Sequence, residues 1–392
     1  MKKIIIMLCA TTLSLTATAH GDFAQVLQQI EQNSIQLRTL AEQMEAEKLS
    51  NHTGISLDDP EVEFSYLWGS PSNVGNRTDF SVSQSFDFPT AYSHRSQIAN
   101  KKDVSTELRY KSERTAILLQ AKQTAIQLTY NNARLAELEQ RLSSAKQIAT
   151  SYERKATNGE ANIIERNKAK LSLATIESQV ADVRSEREVL RSELQRLNGG
   201  VEISLNESYF ALLPITKSFD EWYTQAKALN PILSYVEQEV EIAESQIRLA
   251  RSMNLPKLKV GYMQETVVGT NFRGISLGAS IPLWQNKNRV KQTKASLEVT
   301  KSQSKDKHIE FQNYLHGLYQ KAIALQQTVA SLESAMSSYS SSELLKKALT
   351  SGEISLLEYL LELQYQYTAT DNLLNAQRDL ALTKAQLYEV ML

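Results

Sequence analysis

Cysteine is nearly absent from this chain of 392 residues: the only one is Cys9. It lies within an apolar stretch, residues 4–15, that follows two lysines and leads to a small-residue site before His20. This pattern predicts a secretory signal peptide over residues 1–19. A lipoprotein signal would carry its cysteine at the end of the stretch, so no lipid anchor is expected. The mature chain would then lack disulfides, thiolate metal sites and a cysteine nucleophile.

The chain also lacks a large excess of charge of one sign and lacks long apolar runs. Removing two lysines with the signal leaves 43 − 2 = 41 basic and 44 acidic side chains, a formal charge of −3, and no nucleic-acid partner is predicted. Beyond the signal, no apolar run approaches the ~18 residues that a membrane-spanning helix needs. Entry of the mature chain into a membrane would therefore require strands of a closed β-barrel.

The chemistry of an enzyme is missing as well. Histidines occur singly, without the spacing of a metal site or a catalytic triad: His20, His52, His94, His308 and His316. No phosphate loop, dinucleotide fingerprint or nucleophile elbow is present. The sequence thus predicts neither an enzyme nor a bound cofactor or metal.

Proline and glycine are scarce, with 7 and 13 residues. No proline lies between Pro89 and Pro214, and none follows Pro282. These stretches are rich in Ala, Leu, Gln, Glu, Lys and Arg, which are strong helix formers. Long helices are therefore predicted in both.

The chain contains an internal repeat. Residues 157–165, TNGEANIIE, reappear as residues 350–358, TSGEISLLE, at an offset of 193. The same offset carries Phe88-Pro89 onto Ile281-Pro282, and Asn33-Ser34-Ile35 resembles Asn230-Pro231-Ile232 at an offset of 197. Two landmarks that share one offset indicate a duplication.

We therefore predict two structural repeats, 20–198 and 219–392, joined by an equatorial linker over 199–218. Each repeat should contain a helix, two strands, a long helix, a tight turn and a further helix. The predicted elements are 23–51, 61–69, 77–88, 90–157 and 163–197 in the first repeat, and 220–254, 257–266, 272–282, 283–350 and 355–390 in the second. Pro89 and Pro282 mark the boundaries between strand and helix.

The strands alternate with period two. Phe80, Val82, Phe86 and Phe88 alternate with polar residues, as do Ile275, Leu277, Ala279 and Ile281. One face suits lipid and the other suits water. A half-buried strand pair of a soluble domain would show the same pattern, but strands of about ten residues with aromatics near their ends favour an outer-membrane barrel.

The helices carry apolar residues at steps of three and four, the period of a coiled coil. The two seams are Leu135, Leu138, Leu142, Ala145, Ala149, Tyr152 and Ala156, and Leu173, Ile176, Val180, Val183, Leu190, Leu194 and Leu197. An ordinary helical bundle would share this period. However, a helix over residues 90–157 would be ~100 Å long, so we expect each long helix to lie beside two shorter ones placed end to end.

These features together resemble the TolC family of outer-membrane efflux proteins, especially its cation and drug efflux branch. The resemblance rests on the duplicated plan, on Phe86-Asp87-Phe88-Pro89 with Ser280-Ile281-Pro282-Leu283-Trp284, and on the turn over residues 351–358. It implies a mainly α fold with a small β part. Long helical hairpins would form a periplasmic α-barrel, and four strands per chain would contribute to a trimeric 12-stranded β-barrel in the outer-membrane lipid.

The resemblance also implies partners for the two tight turns. In such proteins the turns meet a periplasmic adaptor, which works with an inner-membrane pump, here expected to be of the proton-driven RND type. By position the docking residues are Gly159, Glu160, Gly352 and Glu353. Each glycine can also serve the turn alone, since glycine readily adopts positive φ.

Acidic side chains narrow the entrance in this family, and Glu165 and Glu358, each six residues after its glycine, hold the matching positions. A threefold axis would bring copies of one carboxylate together and favour cations. A solvated helix face is the alternative. The tyrosine and arginine that close related drug channels are replaced by Leu349 and Ile354, so those particular closing contacts are not expected.

The expected function is passive conduction of metal cations, drugs or other small molecules from pump and adaptor to the exterior. The choice of cargo belongs mostly to the pump. A soluble periplasmic coiled-coil or adaptor-like protein without a pore is the alternative, although adaptors add further β-rich domains that are not evident here.

Overall fold

The structure is a computed structural model that describes residues 23–210, 215, 218–338 and 342–392. The predicted signal peptide and Pro214 lie outside these residues. Within them the chain is mainly helical, with one antiparallel sheet of four strands. The predicted fold class, mainly α with a small β part, is confirmed.

The described residues of the first half form four α-helices and two strands. Helices α1 (Phe23–Asn33) and α2 (Ile35–Asn51) precede strands β1 (Glu61–Leu67) and β2 (Arg77–Phe86). The long helix α3 (Pro89–Thr157) and the helix α4 (Ile163–Leu197) follow.

The second half repeats this order. Helices α5 (Phe219–Leu229) and α6 (Pro231–Ser252) precede strands β3 (Lys257–Val267) and β4 (Thr270–Ser280). Helices α7 (Arg289–Ser338), α8 (Ser342–Ser351) and α9 (Leu356–Leu387) complete the described chain.

Two helices predicted as continuous are each divided. The helix predicted over 23–51 is interrupted at the buried Ser34, and the helix predicted over 220–254 is interrupted at Asn230. The Asn230 side chain accepts hydrogen bonds from the backbone N–H groups of Ile232 and Leu233, at 2.8 and 3.0 Å. Pro231, the first residue of α6, has no N–H to offer a continuing helix. The Asn-Pro pair therefore begins a new helix.

The helix predicted from residue 283 begins six residues later, at Arg289. Asn288, just before it, has a φ of +67°, which interrupts a right-handed helix. The first half differs here, because α3 begins at Pro89 only three residues after the last residue of β2. The two strand-to-helix connections are thus unequal.

The sheet has the order β1-β2-β3-β4, and all its pairs are antiparallel. The register aligns Val62, Val82, Tyr262 and Ile275 in one row. One face is therefore mainly apolar, with Val62, Phe64, Phe80, Val82, Phe86, Leu258, Val260, Tyr262, Ile275, Leu277 and Ala279, although Gln84, Gln264 and Arg273 lie on it as well. The other face carries Glu61, Glu63, Ser65, Asp79, Ser81, Ser83, Lys259 and Glu265.

The chain divides into two compact units, and each draws on both halves of the sequence. The first unit comprises residues up to Ser34, 120–215 and 322–385. Its core follows the predicted coiled-coil seam between α3 and α4, with Leu135, Leu138, Ala145, Ile176, Val180 and Val183 buried together.

The second unit comprises residues 35–119, 216–321 and 386–392, and it contains the sheet. Polar contacts join α3 to α6, with Lys101 bound to Glu241 at 2.8 Å and Ser105 to Glu239 at 2.6 Å. The Trp222 ring packs edge-on against Tyr388, with centroids 4.6 Å apart. Helix packing of this unit thus combines aromatic and ionic contacts.

Candidate functional site: the two helix-hairpin turns

The turn between α3 and α4 is closed by backbone hydrogen bonds. The N–H of Glu160 donates to the carbonyl of Lys155 at 2.7 Å, and the N–H of Gly159 donates to the carbonyl of Ala156 at 3.2 Å. These are the two bonds of a Schellman motif, which satisfies the last carbonyls of a helix. The motif needs a left-handed residue, and Gly159 provides it with a φ of +76°.

The turn between α8 and α9 has the same bonds, each shifted by the repeat offset. The N–H of Glu353 donates to Ala348 at 2.9 Å, and the N–H of Gly352 donates to Leu349 at 3.4 Å. Gly352 has a φ of +80°. Apart from the glycine and its chain neighbours, no atom of the described residues lies within 4 Å of where a Cβ would stand at Gly159 or Gly352. Positive φ alone, rather than crowding within the chain, therefore requires glycine at both turns.

Glu165 and Glu358 act as helix caps in this structure. Glu165 accepts from the N–H of Asn162 at 2.9 Å, while the Asn162 side chain accepts from the N–H of Glu165 at 2.9 Å. Ser355 and Glu358 exchange the equivalent bonds, at 2.8 and 3.2 Å. Such capping boxes satisfy N–H groups at the start of α4 and α9. The sequence patterns Asn-x-x-Glu and Ser-x-x-Glu before apolar residues are the signal from which these caps could have been predicted.

The caps influence titration near the turns. Hydrogen bonds from the backbone and the hydroxyl of Ser355 lower the pKa of Glu358. Burial, together with the nearby Glu165 carboxylate, raises the pKa of the Tyr152 phenol. Glu160 accepts from the Asn158 side chain at 3.4 Å. Carboxylates in both turns are thus held by local hydrogen-bond partners.

An apolar cluster lies beneath the turns. It joins side chains from both hairpins: Ile148, Ala149, Tyr152, Ala169, Leu349, Leu356, Tyr359 and Leu363. Leu349 is buried in it and Ile354 packs against it. Leu349 and Ile354 therefore contribute apolar packing, whereas the polar closing contacts of the drug channels that the sequence resembles would need a hydroxyl or a guanidinium.

A buried arginine was not predicted by the sequence. Arg141 of α3 is only 4% exposed and binds Glu137 at 2.9 Å and Asp371 of α9 at 2.8 Å. Its guanidinium stacks on the Tyr367 ring at 4.2 Å. Only the fold brings residues from α3 and α9 together, so no local motif signals this network.

The network borders an open groove among α3, α4 and α9. Its volume is about 360 Å³, and its wall combines Arg141, Lys168 and Asp371 with apolar side chains of all three helices. Arg141 and Asp371 at the wall are already paired with each other. The groove is thus a packing feature of the helical hairpins.

The sheet joins the helices through a second ionic cluster, around Asp87. Burial alone would raise the pKa of Asp87, but hydrogen bonds from Lys257 and Arg95 lower it. Lys257 binds it at 3.0 Å, and Arg95 forms a short ion pair with it. The backbone N–H of Asp87 donates to the Tyr92 hydroxyl at 2.9 Å. Asp87 thus connects β2, β3 and the first turns of α3, next to Pro89.

Pro282 lies two residues after β4, in the segment that leads to α7. Asn286 of this segment donates a short hydrogen bond to the carbonyl of Met253, just after α6. Met253 also receives a weak hydrogen bond from Arg95 at 3.6 Å. The segment after Pro282 is therefore tied to the same cluster as Asp87.

Two further features of the described residues concern other kinds of site. None of their helices has the length and apolar character needed to span a membrane. No three His, Cys, Asp or Glu residues among them are grouped so that they could hold a metal ion.

The second half of the chain, residues 222–391, matches the family described as outer membrane efflux protein. No curated protein matches the sequence. Among solved structures, a membrane protein from Pseudomonas aeruginosa is similar with a TM-score of 0.79 and 13% identity, over 95% of this chain and 92% of that chain.

Two further structures share the fold. The outer membrane protein VceC from Vibrio cholerae has a TM-score of 0.70 and 14% identity, over 94% of both chains. The CmeC outer membrane channel of Campylobacter jejuni has a TM-score of 0.68 and 16% identity, over 94% of this chain and 84% of that one. At such identities the likeness shows the fold, which is that of outer-membrane channel proteins.

Proposed function

We propose that the protein is the outer-membrane channel of a tripartite efflux system in the TolC family. One observation carries the proposal: nearly the whole chain superposes on outer-membrane channel proteins, and residues 222–391 match the outer membrane efflux family. The channel conducts substrates passively from an inner-membrane pump and a periplasmic adaptor to the exterior. Metal cations or drugs are the proposed cargo, following the resemblance to that branch.

The sheet supports assembly into a trimer. Four strands cannot close a barrel, and open strand edges cannot face lipid. Three copies supply twelve strands, enough to leave a channel inside the barrel. The exposed apolar face, on which Leu277 is 79% exposed, faces outer-membrane lipid, and the face with Glu61, Asp79 and Ser81 lines the water-filled interior. The helices project into the periplasm.

The turns are the proposed docking place for the adaptor. Gly159 with Glu160 and Gly352 with Glu353 are held in matching conformations. Space above both glycines is open within the chain, which leaves room for the backbone of a partner. Glu165 and Glu358 serve as the acidic gate of the entrance, where their capping bonds hold the carboxylates in place.

A pair of neighbouring substitutions in β2 tests the membrane assignment. Val82 lies on the apolar face and Ser81 on the opposite one. A lysine at the centre of a lipid-facing strand costs about 2–4 kcal/mol, so Val82→Lys should abolish recovery of the heat-modifiable outer-membrane trimer. Ser81→Lys, the matched control, should still assemble and conduct in planar bilayers. Recovery of the unaltered protein as a soluble periplasmic monomer would instead support the adaptor-like alternative.

A further inference from the structure

The two strand-to-helix connections differ in the side chains that they expose. At the repeat offset of 193, Trp284 corresponds to Ala91 and Leu283 corresponds to Thr90. Ala91 is completely buried, and the Thr90 hydroxyl donates to the Ser252 hydroxyl at 3.3 Å. Trp284 is instead 80% exposed and Leu283 is 68% exposed. The connection after β4 therefore carries an aromatic and an aliphatic side chain that the described chain leaves uncovered.

This connection continues the mainly apolar face of the sheet. The alternation of Ile275, Leu277 and Ala279 along β4 extends to Ile281, the first residue after the strand, which is 65% exposed. Trp284 follows three residues later. Tryptophan favours the boundary between lipid and water, because its ring is apolar and its N–H is polar. The connection therefore lies where the proposed lipid-facing surface ends.

Positive charge follows the tryptophan. Lys287, Arg289 and Lys291 are all exposed, and no Asp or Glu occurs from residue 266 to residue 297. We call residues 287–291 the basic segment. Among the residues that the structure describes, none forms an ion pair with these three cations.

Other cations at this end of the sheet are neutralised within the chain. Arg95 and Lys257 both pair with Asp87, and Lys259 pairs with Glu61 at 2.9 Å. The basic segment differs from them, although it follows the same end of the strands. Its charge is therefore available to a partner from outside the chain.

Formation of helix α7 does not account for the basic segment. Arg289 and Lys291 lie in the first turn of α7, which has no acidic residue. The start of a helix carries partial positive charge, so cations there reduce helix stability. Helices α4 and α9, by contrast, have Glu165 and Glu358 in their first turns. The positive charge at α7 opposes local helix stability, which points to an anionic partner.

The connection is held in a defined turn. The N–H of Lys287 donates to the carbonyl of Trp284 at 3.1 Å, and the N–H of Arg289 donates to the carbonyl of Asn286 at 3.1 Å. Such bonds between residues i and i+3 reverse the chain within four residues. The Asn286 side chain also ties the turn to the Met253 carbonyl, just after α6. The indole of Trp284 and the first two cations are therefore carried by one short, anchored segment.

We propose that the basic segment, together with Trp284, binds the phosphate of an anionic phospholipid at the periplasmic surface of the outer membrane. The inference rests on the proposed function, which places the helix-bearing end of the sheet at that surface. Along the chain, the apolar strand, the tryptophan and the cations follow the order of hydrocarbon, interface and headgroup in a bilayer leaflet. Cations next to a membrane attract anionic lipids. Insertion needs only the apolar face, whereas the basic segment adds a preference for lipid charge.

Quenching of tryptophan fluorescence by brominated lipids measures this preference in the intact protein. The chain has three tryptophans: Trp284, the buried Trp222, and Trp68 at the opposite end of the sheet, which is 81% exposed. Trp68→Phe leaves Trp284 as the exposed reporter, and Trp284→Phe leaves Trp68. Each variant is reconstituted in phosphatidylcholine bilayers with increasing amounts of brominated phosphatidylglycerol or brominated phosphatidylcholine.

At Trp284 the relative binding constant should favour phosphatidylglycerol by about fivefold, the contribution of one cation near an anionic membrane surface. High salt should reduce this preference, because exposed charges are screened. At Trp68 the two lipids should quench equally, since the neighbouring Arg77 is paired with Asp79. An equal preference for phosphatidylglycerol at Trp68 and Trp284 would contradict a site at the basic segment.

Two triple variants, each built on Trp68→Phe, separate charge from structure. Glutamine at all three positions, Lys287→Gln with Arg289→Gln and Lys291→Gln, should remove the preference at Trp284. The matched control, Lys287→Arg with Arg289→Lys and Lys291→Arg, keeps the charge and should retain the preference. A preference that persists in the glutamine variant would overturn the proposed site.

The remaining outcomes separate this site from the proposed function. Equal quenching of Trp284 by the two lipids, in a protein that conducts, would overturn the anionic-lipid site and leave the channel standing. Binding of peptidoglycan that the glutamine variant loses, without any lipid preference, would assign the cations to that polyanion instead. Quenching of neither Trp68 nor Trp284 by any brominated lipid would overturn both proposals, because the sheet would then lie outside the membrane.

Discussion

Arg141 of α3 donates to both carboxylate oxygens of Asp371 in α9, at 3.2 and 2.8 Å, although 230 positions separate the two residues. The arginine is buried, whereas the aspartate is 47% exposed. Tyr367, one turn before Asp371, lies under the guanidinium and supplies a carbonyl acceptor at 3.5 Å. This pair therefore joins the two helical hairpins of the chain.

Removing Asp371 and removing Arg141 should have unequal effects on the stability of the fold. Asp371→Ala leaves the buried Arg141 cation with only Glu137 as a carboxylate partner. It should lower the free energy of unfolding by about 2 kcal/mol, less than the roughly 3–5 kcal/mol lost when one partner of a fully buried ion pair is removed. Arg141→Met removes the buried charge but keeps a side chain of similar volume, and Asp371 can then be hydrated by solvent. This variant should therefore lose less free energy of unfolding than Asp371→Ala. Thermal unfolding followed by far-UV circular dichroism measures both. A larger loss for Arg141→Met than for Asp371→Ala would contradict the assignment.

Tyr367 should make stability depend on alkaline pH. Burial and the neighbouring Tyr359 raise its pKa from 10.0 to about 12, against the opposing effect of the Arg141 cation. The folded protein retains this proton at a pH where the unfolded chain has released it. The resulting stabilisation is complete below about pH 10 and is lost as the pH rises toward 12.

Tyr367→Phe isolates this contribution. Between pH 10 and about 12 the unfolding midpoint of the unaltered protein should fall more steeply than that of the variant. Phenolate absorbance should also show one late-titrating tyrosine fewer in the variant. If the unfolding midpoints of the two proteins fall equally steeply with pH, the pKa of Tyr367 is not raised.

Glutamine and alanine substitutions should separate the two roles of Glu165 and Glu358. Glutamine keeps the capping box but removes the charge, whereas alanine removes both. If the carboxylates line the entrance, Glu165→Gln with Glu358→Gln should lower cation preference in planar bilayers with only a small loss of stability. Alanine at the same positions should lower helix stability as well. Unaltered reversal potentials in the glutamine variant would leave capping as the whole role.

Asparagine should similarly separate turn formation from docking at Gly159. Alanine at a φ of +76° costs about 1–2 kcal/mol through backbone strain, whereas asparagine tolerates this conformation better. Gly159→Asn should therefore retain the turn but place a side chain in the open space above it. We expect normal unfolding and weakened cross-linking to the adaptor. Adaptor binding that survives this added side chain would show that glycine serves the turn alone.

A glycine elsewhere provides the control for backbone strain. Gly317 lies inside helix α7 without positive φ, and outside its own helix backbone no atom of the described residues lies within 4 Å of a Cβ position. Gly317→Ala should raise stability by about 1 kcal/mol, since alanine is the better helix former. The opposite signs expected for alanine at Gly159 and at Gly317 can be read in the same unfolding experiment.

Two local sequence patterns mark features that the predicted elements lack. The resemblance of Asn33-Ser34-Ile35 to Asn230-Pro231-Ile232 marked the points where α1 meets α2 and α5 meets α6, yet continuous helices were predicted. The pattern Asn162-x-x-Glu165 is typical of a capping box, whereas the sequence prediction places Glu165 in a gate or on a solvated helix face. Both are local patterns, which a short window of sequence can reveal.

The sequence by itself determined the duplication, the lengths of α3 and α4, the alternation of the strands and the glycines at the turns. Each depends on residues close together in the chain, where backbone propensity and side-chain period decide the outcome. Only the tertiary structure decided that Arg141 meets Asp371, that Asp87 is held by Lys257, and that Leu356 is buried while its equivalent Ile163 is exposed. Those outcomes depend on which helix or strand lies alongside, and that neighbour is chosen by packing over hundreds of residues.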